Sequence, residues 1–144
     1  MIIERIWTDN AYRNFHYLIG CPDTGEALAV DPLEVDLVLA RAAEKGWRIT
    51  QVLNTHEHPD HIGGNKKIIA ATGAKLLAHA GAKDRIPGID RGLHAGDHLG
   101  DGLGLGEVQG AVALVGVDRQ PAGAEALGGP VFVRRAVTHV VAAR

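Results

Sequence analysis

The sequence predicts a layered α/β or mixed-sheet domain, and three observations carry the prediction. Short β-prone runs alternate with helical stretches over residues 1–90, and clusters of Gly, Pro, Asn and Asp punctuate them. The chain has 144 residues, of which 46% are hydrophobic. That is enough for one modest core, since domains cluster at about 100–150 residues.

Each element has a local reason. Ile2 to Trp7 and residues 15–19 are β-prone runs separated by Thr8-Asp9-Asn10, and Cys21-Pro22-Asp23-Thr24-Gly25 is dense in turn formers, so a hairpin-like meander is expected. Residues 27–30 form the next strand. Asp31 then reads as a helix N-cap, with Pro32 at the first helical position and Glu34 three residues after the cap. Val35, Val38, Leu39, Ala42 and Ala43 recur at helical spacing, and Lys45-Gly46 offers a basic last turn and a left-handed C-cap. Residues 49–53 return to strand, Asn65–Thr72 to a helix closed by Gly73, and residues 75–78 to strand.

Composition excludes several functions. The formal net charge is −2 and the pI is near 6.4, which leaves no electrostatic footprint for nucleic acid or an anionic membrane surface. No apolar run approaches the roughly 20 residues of a membrane span, and the N-terminus lacks a basic region followed by an apolar stretch, so a cytoplasmic location is expected. The single Cys21 rules out an internal disulfide framework and, with no low-pKa neighbourhood, reads as a bystander.

Residues 99–144 differ from everything before them: 26 of these 46 are Gly, Ala or Val, and none is Lys, Ile, Asn, Tyr or Trp. Gly100, Gly102, Gly104 and Gly106 alternate, which would strip one face of a strand of side chains. Their run lacks the spacing of a dinucleotide fingerprint. Residues 108–117 and 131–141 have strand propensity. Two units are expected, 1–98 and an atypical tail 99–144 that is disordered or out of frame; out-of-frame translation of a GC-rich gene would account for its composition, and a natural short variant completed by a partner chain is the alternative.

The chemistry concentrates in Thr55-His56-Glu57-His58-Pro59-Asp60-His61, between the 49–53 strand and Gly63-Gly64. Imidazole and carboxylate are the ordinary ligands of catalytic zinc, and strand-end loops are the ordinary place for such sites. His56 and His58, two apart, are placed to share one metal; Asp60 and His61, adjacent on a turning backbone, are placed to reach a second. Gly63 and Gly64 are expected to let the backbone pass close to the metals.

Thr-His-x-His-x-Asp-His followed by Gly-Gly resembles the signature of the metallo-β-lactamase fold superfamily. Asn14-Phe15-His16-Tyr17-Leu18-Ile19 and Ala29-Val30-Asp31-Pro32-Leu33 are similar to its glyoxalase II branch, hydroxyacylglutathione hydrolase. The resemblance covers about residues 1–98. It implies an αββα sandwich whose N-terminal half is recognisable here, with His56 and His58 on the first metal and Asp60 and His61 on the second. It implies Zn2+, two per site, or iron or manganese, and a glutathione thioester such as S-D-lactoylglutathione as the small-molecule partner, in methylglyoxal detoxification. Asp60 would orient the attacking water as well as ligate.

The ligand count falls short. Two metals need about six protein ligands, fewer if a carboxylate bridges, and the loop supplies His56, His58, Asp60 and His61. The family draws the rest from a Thr-Pro-Gly-His loop, a Ser-Gly-Asp turn and a late His, and no His lies between His98 and His139. His79, His94, His98 and His139 read as structural or solvated, with His139 the nearest substitute by elimination, and Asp97 reads as a turn former. Three functions follow: a thioester hydrolase whose activity the missing ligands put at stake, another branch of the fold such as a persulfide dioxygenase or a lactamase-like hydrolase, and a non-catalytic metal-binding fragment.

Overall fold

A computed structural model describes residues 1–95, 97 and 99. The elements run β1 (Ile2–Trp7), β2 (Phe15–Gly20), β3 (Glu26–Val30), α1 (Val35–Glu44), β4 (Arg48–Leu53), α2 (Pro59–Ile62), α3 (Asn65–Thr72), β5 (Lys75–His79), a 3-10 turn (Ala80–Ala82) and β6 (Arg91–Leu93). The strands form one sheet in chain order. β1, β2 and β3 pair antiparallel as a meander, while β3, β4, β5 and β6 pair parallel. The change follows the connections: short turns can only reverse the chain, whereas α1 and then α2 with α3 return it to the starting edge.

Alternation along the strands sends side chains to two faces. Leu18, Ala29, Val52 and Leu76 pack on the helical side with Val35, Val38, Ala42 and Ile68. Tyr17, Ile19, Leu28, Val30, Leu53, Leu77 and Leu93 gather on the other side with Leu99. Strands buried on both sides read as near-continuous apolar runs, and this is why residues 27–30 and 49–53 were legible. The parallel alignment puts the C-terminal ends of β3, β4 and β5 at one edge, where the loop of residues 54–61 emerges.

The start of α1 departs from expectation. Asp31 is not the N-cap: α1 begins at Val35 after Glu34, which makes no side-chain cap bond. Residues 31–35 instead fold as tight turns, with Leu33 N–H donating to Asp31 O at 2.9 Å and Val35 N–H to Leu33 O at 3.0 Å. Asp31 has φ 47°, a left-handed conformation that Asp tolerates better than most residues. The reason lies in tertiary contacts that pull its carboxylate away from the helix. The expected C-terminal caps are present, with Gly46 at φ 68° and Gly73 at φ 70°. Three elements went unread: α2, the 3-10 turn and β6 are each 4 residues or shorter and carry no period. The tail readings, the strands at 108–117 and 131–141 and the glycine run, lie outside the described residues.

Candidate metal centre

The loop leaves β4 through Asn54 and Thr55, and Asp60 and His61 ride on α2 rather than on an irregular turn. Pro59 at the first position suits that helix start, and His58 precedes it in extended conformation. His61 and Ile62 N–H donate to His58 O at 2.9 and 3.0 Å. The fold thereby draws three imidazoles together. The His56 ring lies 4.6 Å from His58 and 3.8 Å from His61, centroid to centroid. His61 Nε2 sits 3.3 Å from Asp60 Oδ2.

Asp31 organises this cluster from beneath. Its carboxylate is 2% exposed and accepts from Thr55 N–H at 2.8 Å, Thr55 Oγ1 at 2.6 Å and His61 Nδ1 at 2.9 Å. Having given its only proton to Asp31, the Thr55 hydroxyl can only accept from His56 Nδ1, 2.9 Å away. In their neutral forms both rings are thus assigned the Nδ1–H tautomer, with the lone pair on Nε2. A buried carboxylate that fixes ring tautomers is the usual support beneath metal-bound histidines.

Further contacts hold the loop at its flanks. Asn14 Nδ2 donates to Asp60 Oδ2 at 2.9 Å and to Asp60 O at 3.2 Å. Arg85 Nε pairs with Glu57 Oε1 at 3.0 Å. Gly63 and Gly64 are required by close backbone packing. A Cβ on Gly63 would meet Pro59 O at 2.7 Å and Leu33 Cδ1 at 2.8 Å, and one on Gly64 would overlap the Pro32 carbonyl oxygen. The glycines admit the 31–33 turn, which brings Asp31 under the loop.

Electrostatics follow the geometry. Burial lowers the pKa of His56, and the neighbouring charges of His61 and His58 lower it further. Burial also works against protonation of His61, but the hydrogen bond to Asp31 and the charges of Asp31 and Asp60 outweigh it and raise its pKa. At Asp60 partial burial opposes ionisation, and the Asn14 hydrogen bond with the nearby His61 charge holds the pKa below the usual carboxylate value.

This donor set suits a divalent cation: two imidazole lone pairs, a third ring and an ionised carboxylate lie together. It is not a closed site. Among the described residues no group of three or more His, Cys, Asp or Glu stands in an arrangement that could hold a metal ion. The other histidines do not complete it there. His79 Nδ1 accepts from Gly81 N–H at 3.0 Å, so the proton of the neutral ring sits on Nε2, and the ring lies 6.3 Å from His94. Asp97 Oδ2 accepts from His94 N–H at 3.0 Å and Asp97 N–H returns to His94 O at 3.1 Å, a closed turn as expected. Cys21 is buried in the core. His98 and His139 lie outside the described residues.

Asp31, Thr55 and Asn14 support the candidate ligands, and pattern reading gave them no role at the site. Their signal was present only as flanking identity, because a polar residue bound for burial looks like a turn former in one dimension.

Comparison with known proteins places this arrangement. Over 96 residues the chain is 70% identical to the hydroxyacylglutathione hydrolase of Polaromonas sp. (strain JS666), covering 67% of this chain and 36% of that one. The hydroxyacylglutathione hydrolase of Nitrosococcus oceani is 66% identical over the same length and coverage. The chain therefore matches about a third of the length of these curated relatives. Among solved structures it is similar to ETHE1 from Myxococcus xanthus, with a TM-score of 0.59 and 29% identity over 69% of this chain and 43% of that chain. The profile of the metallo-beta-lactamase superfamily matches residues 18–141, which include Asp31 and the whole His56 to His61 loop, and the chain belongs to that superfamily.

Proposed function

We propose that this chain carries the metal-binding loop of a hydrolase for glutathione thioesters, of the hydroxyacylglutathione hydrolase type, converting S-D-lactoylglutathione to D-lactate and glutathione. One observation carries the reading: Asp31 and Thr55 hold the Nδ1 atoms of His56 and His61, which leaves Nε2 of each neutral ring as the atom for a metal, beside the ionised Asp60. His56 and His58 would hold one metal and Asp60 and His61 the other, zinc being the reading preferred to iron or manganese. A bound divalent metal supplies Lewis acidity and a water ionised near neutral pH.

The chain's own residues divide the remaining work. Asp31 and Thr55 orient the rings. Asp60, kept ionised by Asn14, accepts a hydrogen bond from the attacking water and aims it at the thioester carbonyl. Water adds to the carbonyl carbon and releases a proton to solvent, the C–S bond breaks with its electron pair going to sulfur, and the products are a carboxylic acid and a thiolate that takes a proton back from solvent. A thiolate leaves without a strong acid, so the site needs no separate proton donor.

The ligand count supports a second reading, a metal-binding piece without turnover, because the loop offers four side chains where two metals need about six. In both readings residues 1–98 form one unit and 99–144 an atypical tail, in a cytoplasmic protein. Thiol release from S-D-lactoylglutathione by the zinc-loaded chain decides between them. Steady release dependent on His58 supports the hydrolase; stoichiometric metal uptake without release supports the binding piece; oxygen uptake with a glutathione persulfide by the iron-loaded chain, with no thiol release by the zinc-loaded one, refutes both.

A further inference from the structure

Just after β4 and at the start of α3, two carboxamides face each other out of solvent. Asn54 is 0% exposed and Asn65 7%. Asn65 Nδ2 donates to Asn54 Oδ1 at 2.7 Å, and Asn54 Nδ2 returns a bond to Asn65 Oδ1 at 3.2 Å. Asn54 Nδ2 gives its second hydrogen to the carbonyl oxygen of His61, also at 3.2 Å. A backbone carbonyl can only accept, so the Asn54 atom facing it must be nitrogen, and this fixes the orientation of both amides. Asn54 is anchored to the sheet, its own N–H donating to Leu77 O at 3.0 Å. His61 O belongs to the last turn of a four-residue helix, where helical donors run out.

We infer that Asn54 is a positioning residue for the metal loop: it ties the His61 backbone to the end of β4, with Asn65 acting as the clamp that orients it. This rests on the metal-binding reading of His56, His58, Asp60 and His61. Asp31 sets the direction of the His61 ring, whereas Asn54 sets where the ring's backbone stands, so the two constraints are independent. A buried amide pair also rejects any apolar exchange that leaves one partner unmatched.

Two isosteric variants separate positioning from mere structure. Asn54→Asp turns an oxygen toward two acceptors, His61 O and Asn65 Oδ1. Asn65→Asp sets an oxygen against Asn54 Oδ1 but leaves the bond to His61. Two readouts are taken on the full chain: amide hydrogen exchange at His61 and Ile62 relative to Ile68 in α3, and cobalt(II) titration followed by its visible absorption.

Asn54→Asp is expected to speed exchange at His61 and Ile62 selectively and to weaken cobalt binding about tenfold, as loss of outer support typically does. Asn65→Asp should shift all three amides together and change cobalt binding less. Asn54→Ser, which shortens the side chain without adding charge, should repeat the first pattern if Asn54→Asp does not fold. Unchanged relative exchange in the Asn54 variants, or equal weakening of cobalt by Asn65→Asp, overturns the inference. A wild-type chain that binds no cobalt overturns the metal-binding reading instead, and the exchange pattern then judges the hold on α2 by itself.

Discussion

Asp31→Asn is the most informative single change at the loop. The amide is isosteric with the carboxylate, and Asn also tolerates the left-handed φ of 47° at this position, so the backbone can stay in place. One side-chain oxygen continues to accept from Thr55 N–H. The other becomes a donor facing Thr55 Oγ1 and His61 Nδ1, which now stand 2.6 and 2.9 Å from the carboxylate oxygen. His61 Nδ1 must then accept, which moves its proton to Nε2, and the Thr55 hydroxyl must turn its proton toward His56. Both rings would present N–H instead of lone pairs to a metal. Loss of this kind of support costs about 10–100-fold in metal affinity, roughly 1.4–2.8 kcal/mol. The metal-free fold loses less than two full charge-assisted bonds, each about 1.5–3 kcal/mol, because the amide recovers part of the network. Competitive zinc titration against a chelator measures the first quantity and urea unfolding of the metal-free chain the second. Asp36→Asn, at the exposed pair with Lys67, serves as the control. Wild-type zinc affinity in Asp31→Asn would refute the tautomer argument.

Asn14→Ala removes both bonds to Asp60 and should weaken metal binding about tenfold, one charge-assisted hydrogen bond, while moving its acid limit to higher pH; Asn10→Ala in the same segment should do neither. The pH dependence of the metal-free chain has a definite sign. His16 and His56 have pKa values lowered from 6.5, chiefly by burial, so the unfolded chain binds protons more readily and stability present above 6.5 is lost as the pH falls below it. The raised pKa of His61 acts oppositely, its contribution being full below 6.5 and lost as the pH rises through the folded value. His16→Gln keeps an acceptor for Glu34 N–H and should flatten the acid-side loss in urea midpoints between pH 5 and 7; an unaltered slope would exclude His16 as its source. Gly64→Ala drives a methyl into the Pro32 carbonyl and should cost about 3 kcal/mol, the upper range for overpacking, with zinc affinity falling as the 31–33 turn is displaced. The gene itself tests the tail: another reading frame downstream of the Leu99 codon should encode a Thr-Pro-Gly-His-like segment, and its absence removes the out-of-frame account.

The periodic parts of the fold were legible because period is a local property. Residues 27–30 and 49–53 read as strands, and the helix expected from Pro32 to Lys45 contains the observed Val35–Glu44, since burial on one or two sides leaves its pattern in consecutive side chains. The ligand candidates were legible for a related reason: His56, His58, Asp60 and His61 are neighbours in the chain, and their chemistry stays visible without folding.

Asp31 shows where that reasoning stops. Followed by Pro32 and Glu34, it has every local mark of an N-cap, yet it spends its carboxylate on Thr55 and His61, 24 and 30 residues away. Asn14 reaches Asp60 across 46 residues, and Asn54 meets Asn65 across α2. By itself the sequence determined β1 to β5, the two longer helices and which side chains offer lone pairs or charge. Only the tertiary structure decided which nitrogen of each imidazole carries the proton, because that depends on a buried acceptor delivered from another strand end, and burial is what makes the acceptor strong enough to choose.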